Sequence, residues 1–277
     1  MSDTELLGAW RLAEQVEQWD DGRREHPRGT DVHGVIQYSA GGWMNAILGR
    51  CALRPGGDPA SLDFALEEMV AYGGRFTFDA AAAEVRHAVV VCSYPGWEGT
   101  TLVRKVAFPA TGTLQLTGLR PGGGAQRILN WRRPDERDTR MTDPALVGAW
   151  LLEEYVALLP DGSAEHPMGE TPYGLLQYGP DGWMSVIISR GDRTPRHAFG
   201  SDPFTFTDFV CYYGPYTVDL AAGRVTHHTV YASYTPMHQT DLPRQLDFLA
   251  PDVITLTAKN PAGQTIRLRW HRQAATS

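Results

Sequence analysis

The stretch that decides the fold is GVIQYSAGGWMNAILGR (34–50), because it returns 140 residues later as GLLQYGPDGWMSVIISR (174–190). The repeat also extends upstream, where LLGAWRLAEQV (6–16) matches LVGAWLLEEYV (146–156). Between 6–50 and 146–190, 21 of 45 positions are identical. A unit of this length is far longer than the repeat of a solenoid protein. The sequence therefore indicates a whole domain duplicated in tandem.

The same offset continues beyond this stretch. His87 aligns with His227 and Arg104 with Arg244, and the offset changes to 139 only near the end of each half. A charged segment without apolar periodicity separates the two copies, which is typical of a linker. We predict a first domain at 1–133, a linker at 134–144 and a second domain at 145–277.

Short runs of alternating apolar and polar residues, separated by Gly, Pro and Asp turns, predict strands in both halves. One segment per half breaks this pattern, and in the first half helical spacing predicts a helix over Ser61–Tyr72. About eight strands and one short helix per half predict an all-β fold of two antiparallel up-and-down barrels, each with room for a small ligand. A flat open sandwich is the alternative. In the second half the predicted strands are Ala149–Leu158, Gly174–Tyr178, Trp183–Ser189, Tyr216–Leu220, Arg224–Tyr234, Pro243–Leu249, Val253–Ala258 and Ile266–His271.

The balance of charged residues narrows the classes of molecule that the protein could bind. The 277 residues include 25 Lys and Arg against 32 Asp and Glu, a formal charge of −7. This balance argues against binding to nucleic acid or an anionic membrane, both of which need concentrated basic residues. The N-terminus has no signal-peptide pattern, and no apolar run reaches the roughly 18 residues of a membrane span. Three cysteines without CxxC spacing fit reduced thiols, so we expect a cytoplasmic protein.

Strand alternation suggests which polar residues face inward. On the first strand Trp10 and Glu14 have the same parity, as do Trp150 and Glu154 in the second half. Histidine and arginine recur on the predicted inner faces of later strands. The expected polar clusters are Glu14, His87 and Arg104 in the first barrel, and Glu154, His227 and Arg244 in the second. Each cluster fits acid–base catalysis, and it equally fits a structural ion pair that braces the barrel.

The two halves differ most in one hairpin region, where the second half gains titratable and aromatic groups. Val91 is replaced by Tyr231 and Glu98 by His238, whereas Val89 and Val91 predict a more apolar first barrel. We therefore predict the principal site in the second barrel, with drift of surface residues as the alternative. The predicted catalytic residues are Glu154, His227, Arg244, Tyr231 and His238, and the predicted ligand-binding residues are Trp150, Trp183, Tyr213, Tyr216, Tyr234 and Asp241.

Several motifs carry a resemblance to a known family. The strings HPMG (166–169), QYGPDGWM (177–184) and VTHHTVYASY (225–234) resemble the bacterial lipocalin-like domain family. The first-half segment SYPGWEGTTLVRKV (93–106) is closer still to that family's pattern, whereas the second half departs from it at TPMHQTDLPR (235–244). The resemblance implies single barrels with an internal cavity. It also implies either binding proteins or cofactor-free cyclases and isomerases of natural-product pathways.

These observations lead to two functional hypotheses. The first is a cofactor-independent isomerase, cyclase or lyase that acts on a hydrophobic small molecule in specialised metabolism. The alternative is a non-catalytic carrier of small molecules. A metal-dependent enzyme ranks third, because adjacent His227 and His228 on a strand face opposite ways and no metal-binding motif appears. We therefore expect no metal and no cofactor, and the tandem arrangement allows the two barrels to pack on each other.

Overall fold

The structure, a computed structural model, describes residues 3–50, 68–120, 123–134, 142–191, 208–260 and 263–274. The chain divides into two compact units, Met1–Glu136 and Arg137–Ser277. The first contains α1 (Asp3–Leu6), β1 (Gly8–Gln18), β2 (Arg24–Glu25), β3 (Val32–Tyr38), β4 (Trp43–Arg50), β5 (Met69–Asp79), β6 (Glu84–Cys92), a 3-10 turn (Pro95–Trp97), β7 (Thr101–Ala107), β8 (Thr113–Leu119) and β9 (Gln126–Arg132). The second contains β10 (Gly148–Leu158), β11 (Ala164–Glu165), β12 (Tyr173–Tyr178), β13 (Trp183–Ser189), β14 (Phe209–Asp219), β15 (Arg224–His228), β16 (Tyr231–Ala232), a 3-10 turn (Thr235–Met237), β17 (Asp241–Ala250), β18 (Val253–Lys259) and β19 (Thr265–Arg272).

Each unit is a closed eight-stranded antiparallel barrel, so the all-β prediction is confirmed and the open sandwich is wrong. In the first unit β1 and β3 to β9 pair in chain order, and β1 pairs back with β9. In the second unit β10 pairs with β19 in the same way, and β16 lies in line with β15 against β14. Closure pairs both edges of each sheet and leaves an interior wide enough for side chains or one small ligand.

A buried tryptophan on the first strand of each barrel is held in place by two contacts. The indole Nε1 of Trp10 donates a hydrogen bond to the carbonyl oxygen of Leu6 (2.8 Å), and that of Trp150 donates to Leu146 (2.9 Å). The guanidinium carbon of Arg133 lies 3.5 Å from the centre of the Trp10 ring, and that of Arg272 lies 4.0 Å from the Trp150 ring. These contacts hold Trp150 within the interior core of the second barrel, and it is not among the residues that line the cavity described below.

Two predictions along the chain need correction or fall outside the described residues. Residues 61–67 of the predicted helix lie outside them, whereas Met69–Tyr72 begins strand β5. This strand is buried on both faces, so its continuous apolar run lacks the alternation that would have distinguished it from a helix. For the same reason only the end of Phe209–Asp219 was predicted as strand. Residues 135–141 of the predicted linker also lie outside the described part of the chain.

A β-bulge in the first strand of each barrel reverses the inward and outward faces. The pairing shifts between Leu12 and Glu14, and between Leu152 and Glu154. After the shift Gln15 is buried, and Glu14 lies half-buried on the outer face. The prediction that Glu14 and Glu154 face inward is therefore wrong, because the extra residue breaks the period of two on which it depended.

A second irregularity lies where β5 meets β6, and again where β14 meets β15. A Cβ atom added to Gly74 would lie 1.9 Å from the carbonyl oxygen of Ala88, and one on Gly214 would lie 1.9 Å from that of His228. Only glycine allows this close backbone approach. The interruption between β15 and β16 also places Tyr231 on the outer face, although His227 faces inward.

Candidate functional site

Each barrel contains a buried histidine held between two tyrosines. In the first barrel the Oη atom of Tyr38 lies 2.9 Å from Nε2 of His87, and that of Tyr72 lies 3.2 Å from Nδ1. The second barrel repeats this arrangement: Tyr178 lies 2.6 Å from Nε2 of His227 and Tyr212 lies 3.0 Å from Nδ1. We call each set a Tyr–His–Tyr cluster, formed by Tyr38, His87 and Tyr72, or by Tyr178, His227 and Tyr212.

Burial keeps these clusters uncharged. Desolvation, with a smaller contribution from Arg104, lowers the pKa of His87 from 6.5 to about 3. Burial and then Arg244 likewise hold the pKa of His227 well below 6.5. Desolvation also raises the pKa of Tyr212 above 10. Both imidazoles are therefore neutral near pH 7, so each donates a hydrogen bond from one nitrogen and accepts one at the other.

An arginine lies beside each Tyr–His–Tyr cluster. Arg244 interacts electrostatically with Tyr212 and partly offsets the effect of burial on the pKa of that phenol, and its Nη1 donates to the carbonyl oxygen of Pro243 (3.3 Å). The Arg104 side chain is buried, with its Nη1 donating to the Val103 carbonyl oxygen (2.9 Å). Among the described residues no carboxylate pairs with either guanidinium group. Both arginines thus have hydrogen-bond donors available for a bound anion or carbonyl oxygen.

The second barrel contains a cavity next to its Tyr–His–Tyr cluster. The centre of a water-sized sphere can occupy about 50 Å³ of it, several times what one water molecule needs. The cavity reaches the surface beside the exposed Lys259. The indole nitrogen of Trp270, a buried lining residue, has no hydrogen-bond partner among the described residues. The lining residues are Tyr155, Leu176, Val186, Ile188, Val210, Tyr212, His227, Met237, Arg244, Leu256, Ala258, Lys259, Asn260, Ile266, Leu268 and Trp270.

In the first barrel, the interior residues at the positions equivalent to this part of the cavity wall are charged. Glu17 accepts from Arg127 (Nη2 to Oε1, 2.6 Å) and from Arg120 (Nε to Oε2, 2.8 Å). Strand pairing places Glu17 opposite Arg127, and Arg127 opposite Gly118, next to Arg104. We call this set the charged row; its members are Glu17, Arg104, Gly118 and Arg127. The equivalent apolar row of the second barrel consists of Ala157, Arg244, Ala258 and Ile266.

The exchange between the two rows explains where the cavity lies. Ala157 replaces Glu17 and Ile266 replaces Arg127, so two long charged side chains give way to short apolar ones. In the next level Tyr155 replaces Gln15, whose side chain is hydrogen-bonded to Arg28 in the first barrel. The prediction of a more apolar first barrel is therefore wrong, because Val91 lies on the outer face and the bulge turns Glu17 inward.

The structure brings together only some of the predicted site residues. His227 and Arg244 both line the cavity, as expected. Glu154 lies on the outer face instead, where its carboxylate pairs with the guanidinium group of Arg267 at 3.1 Å. The expected trio of glutamate, histidine and arginine is thus reduced to a pair in the second barrel, and in the first barrel Glu14 bonds to Asn130 on the outer face (2.8 Å).

Several predicted residues form a separate group on the outer face of the second barrel. The rings of Tyr213 and Tyr231 stack with centroids 6.0 Å apart, and His238 meets Tyr231 edge-on at 5.7 Å. Asp241 pairs with His228 at 2.7 Å. Tyr212 lines the cavity and therefore points inward. Because successive side chains of a strand point to opposite faces, its neighbour Tyr213 points outward.

The remaining predicted ligand-binding residues belong to the walls. Trp183 is buried on the outer face, since its neighbour Met184 belongs to the interior core. Tyr216 packs on Tyr178 with ring centroids 4.7 Å apart, and its hydroxyl donates to the carbonyl oxygen of Gly179 (2.9 Å). Tyr234 is half-buried and packs against the core. None of the three is among the residues that line the described cavity.

Sequence reasoning missed the tyrosines that hold the histidines. Tyr38 and Tyr178, like Tyr72 and Tyr212, recur at the same offset of 140 as the histidines. A search for polar residues retained at equivalent positions would have found them. The apolar members of the second-barrel row, Ala157, Ala258 and Ile266, gave no such signal, because they are not polar and are not retained between the halves.

The described residues contain neither a candidate metal site nor a helix that could span a membrane. In that part of the chain no group of three or more His, Cys, Asp or Glu side chains could hold a metal ion. The same residues include no helix of the length and apolarity that a membrane crossing requires. The cytoplasmic location stays a prediction.

Comparison with known proteins identifies the family. The lipocalin-like domain matches the chain twice, over residues 7–134 and 147–273. The chain therefore belongs to the lipocalin-like domain family as a tandem duplication, as the sequence predicted. Membership of this family suggests that the barrels bind small molecules. Among curated proteins none matches the chain.

Solved structures show only distant similarity. A redesigned β-barrel matches with 10% identity over 48% of this chain and 94% of its own, at a TM-score of 0.29. A de novo designed fluorescence-activating β-barrel matches with 15% identity over 48% and 100%, at 0.28. A mutant of transferrin-binding protein B from Haemophilus parasuis Hp5 matches with 5% identity over 96% and 76%, at 0.25. Scores this low add nothing to the family assignment.

Proposed function

We propose that this member of the lipocalin-like domain family binds, in its second barrel, a hydrophobic small molecule that carries a hydrogen-bond-accepting oxygen. The observation that carries the proposal is the cavity beside Arg244 and Tyr212. Its wall is largely apolar, with a few polar groups at one place, which is the usual composition of a small-molecule site. Buried apolar surface would supply affinity, and the polar groups would fix orientation.

The hydrogen-bond pattern of the cluster supports this orientation. If Tyr178 donates to Nε2 of His227, then Nδ1 donates to Tyr212, whose own hydroxyl hydrogen is available to a ligand. Tyr212 lines the cavity and Tyr178 does not. In this arrangement the Tyr212 hydroxyl and the Arg244 guanidinium group would both donate to one ligand oxygen.

Cofactor-independent isomerase, cyclase or lyase activity is the second candidate. The lowered pKa of His227 makes it a poor base near pH 7, so proton abstraction by this residue is disfavoured. The same donors could instead stabilise the negative charge that develops on a carbonyl oxygen during enolisation, with the proton next to the carbonyl passing to a hydroxide or buffer base from solvent. Arg244 and Tyr212 would then be the catalytic residues, and His227 a positioning residue. A protein with this enzymatic activity would act in specialised metabolism.

Binding can be tested with 2-decanone, a neutral ketone, by titration calorimetry on the full chain. We expect Leu256→Phe, which fills the cavity, to weaken binding at least tenfold, and Tyr212→Phe to weaken it by roughly fivefold through a lost hydrogen bond. The matched first-barrel variants Leu116→Phe and Tyr72→Phe serve as controls. Equal losses from both sets, in variants with unchanged melting temperatures, would refute the assignment to the second barrel.

Catalysis can be separated from binding with the same ketone in D2O. Enolisation exchanges the hydrogens next to the carbonyl for deuterium, which NMR follows directly. If the donors stabilise an enolate, the wild-type protein should accelerate exchange, and Arg244→Gln and Tyr212→Phe should each reduce that acceleration at least tenfold. An exchange rate equal to that in buffer alone, with binding intact, would favour the carrier function.

A further inference from the structure

The interior of the first barrel contains an unusual concentration of guanidinium groups. Arg127 and Arg104 are buried, with exposed fractions of 4% and 7%. Glu17 is shared between Arg127 and the half-buried Arg120. Arg104 has no carboxylate within ion-pairing distance among the described residues, although it lies close enough to Arg127 to lower the pKa of that group. A buried cation without a counter-charge is costly, unless a ligand supplies the missing anion.

The local structure makes room for this arginine. The Nη1 atom of Arg104 lies 2.8 Å from where a Cβ atom on Gly118 would be, so the guanidinium group extends across a position that has no side chain. The equivalent residue in the second barrel is Ala258. Gly118 thus allows Arg104 to lie within the charged row.

The surroundings of the charged row indicate what kind of anion fits. The neighbouring level of the interior is formed by the buried apolar residues Val106, Leu116 and Leu129, which pair across adjacent strands. Toward the rim, Arg120 follows the end of β8 with about 28% of its side chain exposed. The guanidinium groups therefore extend from the rim of the barrel toward an apolar interior.

We propose that the first barrel binds the carboxylate of an amphipathic small molecule, with Arg104 as its principal partner. A carboxylate is a good acceptor for a guanidinium group, and in the adjacent part of the row Oε1 of Glu17 accepts from both Nε (3.2 Å) and Nη2 (2.6 Å) of Arg127. The apolar residues beyond the row contact the rest of the ligand. This site is independent of the function proposed for the second barrel, in which apolar residues replace Glu17 and Arg127.

The test compares decanoate with decanol, its neutral analogue, by titration calorimetry of the full chain. We expect decanoate to bind more tightly than decanol, with an affinity that falls as salt rises, because the interaction is charge-assisted. In the Leu256→Phe background, which fills the second-barrel cavity, Arg104→Gln should weaken decanoate binding at least tenfold, and Arg86→Gln, at an exposed arginine of the same barrel, should change it less than twofold. Decanol binding should respond to neither variant by more than twofold.

One further variant, at Gly118, keeps the test decisive. Gly118→Ala introduces the side chain of the second barrel and should weaken decanoate binding by displacing Arg104; it replaces Arg104→Gln if that variant does not fold. Equal losses from Arg104→Gln and Arg86→Gln, equal binding of decanoate and decanol, or no decanoate binding would overturn the proposal. The 2-decanone titrations of the cavity variants are unaffected by these outcomes, so the two proposals fail separately.

Discussion

The two barrels share a Tyr–His–Tyr cluster and differ in the row of residues beside it. Both histidines are fully buried between two phenols, with the same arginine beside them. Beside the cluster the first barrel has the ion pair of Glu17 and Arg127, whereas the second has Ala157 and Ile266 next to its cavity. After a duplication, the contacts that hold the strands together were retained, and the interior changed in charge and volume.

The charged row gives the largest expected effect on stability. Glu17→Ala would leave Arg127 buried without its carboxylate, at a cost of about 3–5 kcal/mol in the free energy of unfolding. The double variant Glu17→Ala/Arg127→Ile introduces the residues of the apolar row and should restore stability to within about 1 kcal/mol of wild type. Urea unfolding would measure both. A double variant as unstable as the single one would show that the two rows are not interchangeable.

The clusters predict loss of stability in acid for both barrels alike. The folded pKa of His87, about 3, lies below its unfolded value of 6.5, so between these values only the unfolded chain binds the proton. The stabilisation is therefore complete above pH 6.5 and is lost by about 1.4 kcal/mol per pH unit below it, or about 2 kcal/mol at pH 5. His227 should behave in the same direction.

Substitution of each histidine tests this dependence. His87→Gln and His227→Gln should each flatten the fall in unfolding free energy between pH 6.5 and 5, as measured by urea titrations at both values. A slope unchanged in either variant would mean that other groups cause the acid sensitivity of that barrel.

The tyrosines at Nε2 should contribute equally in the two barrels. Tyr38→Phe and Tyr178→Phe each remove one hydrogen bond from a buried imidazole, and we expect each to cost about 1–2 kcal/mol. Thermal or urea unfolding would measure the difference. A cost in one barrel only would contradict a shared structural role for the cluster.

The smallest effect is expected at Glu154. Its carboxylate lies on the outer face in a partly exposed pair with Arg267. Glu154→Gln should change the unfolding free energy by less than about 0.5 kcal/mol and leave 2-decanone affinity unaltered. A loss of 2-decanone affinity as large as that of Tyr212→Phe would show that Glu154 contributes to the binding site.

The sequence by itself determined the duplication, the all-β barrels, the family, and the recurrence of His227 and Arg244 on inner faces. These features follow from the identity between the two halves and from the alternation of inward and outward side chains along a strand, both of which can be read directly from the sequence. Only the tertiary structure decided that Glu154 and Tyr231 face outward, because one extra residue in a bulge reverses every face that follows it. Only the tertiary structure placed the cavity, because its lining residues, among them Tyr155, Arg244 and Ile266, are distant in sequence and come together only when the strands pair.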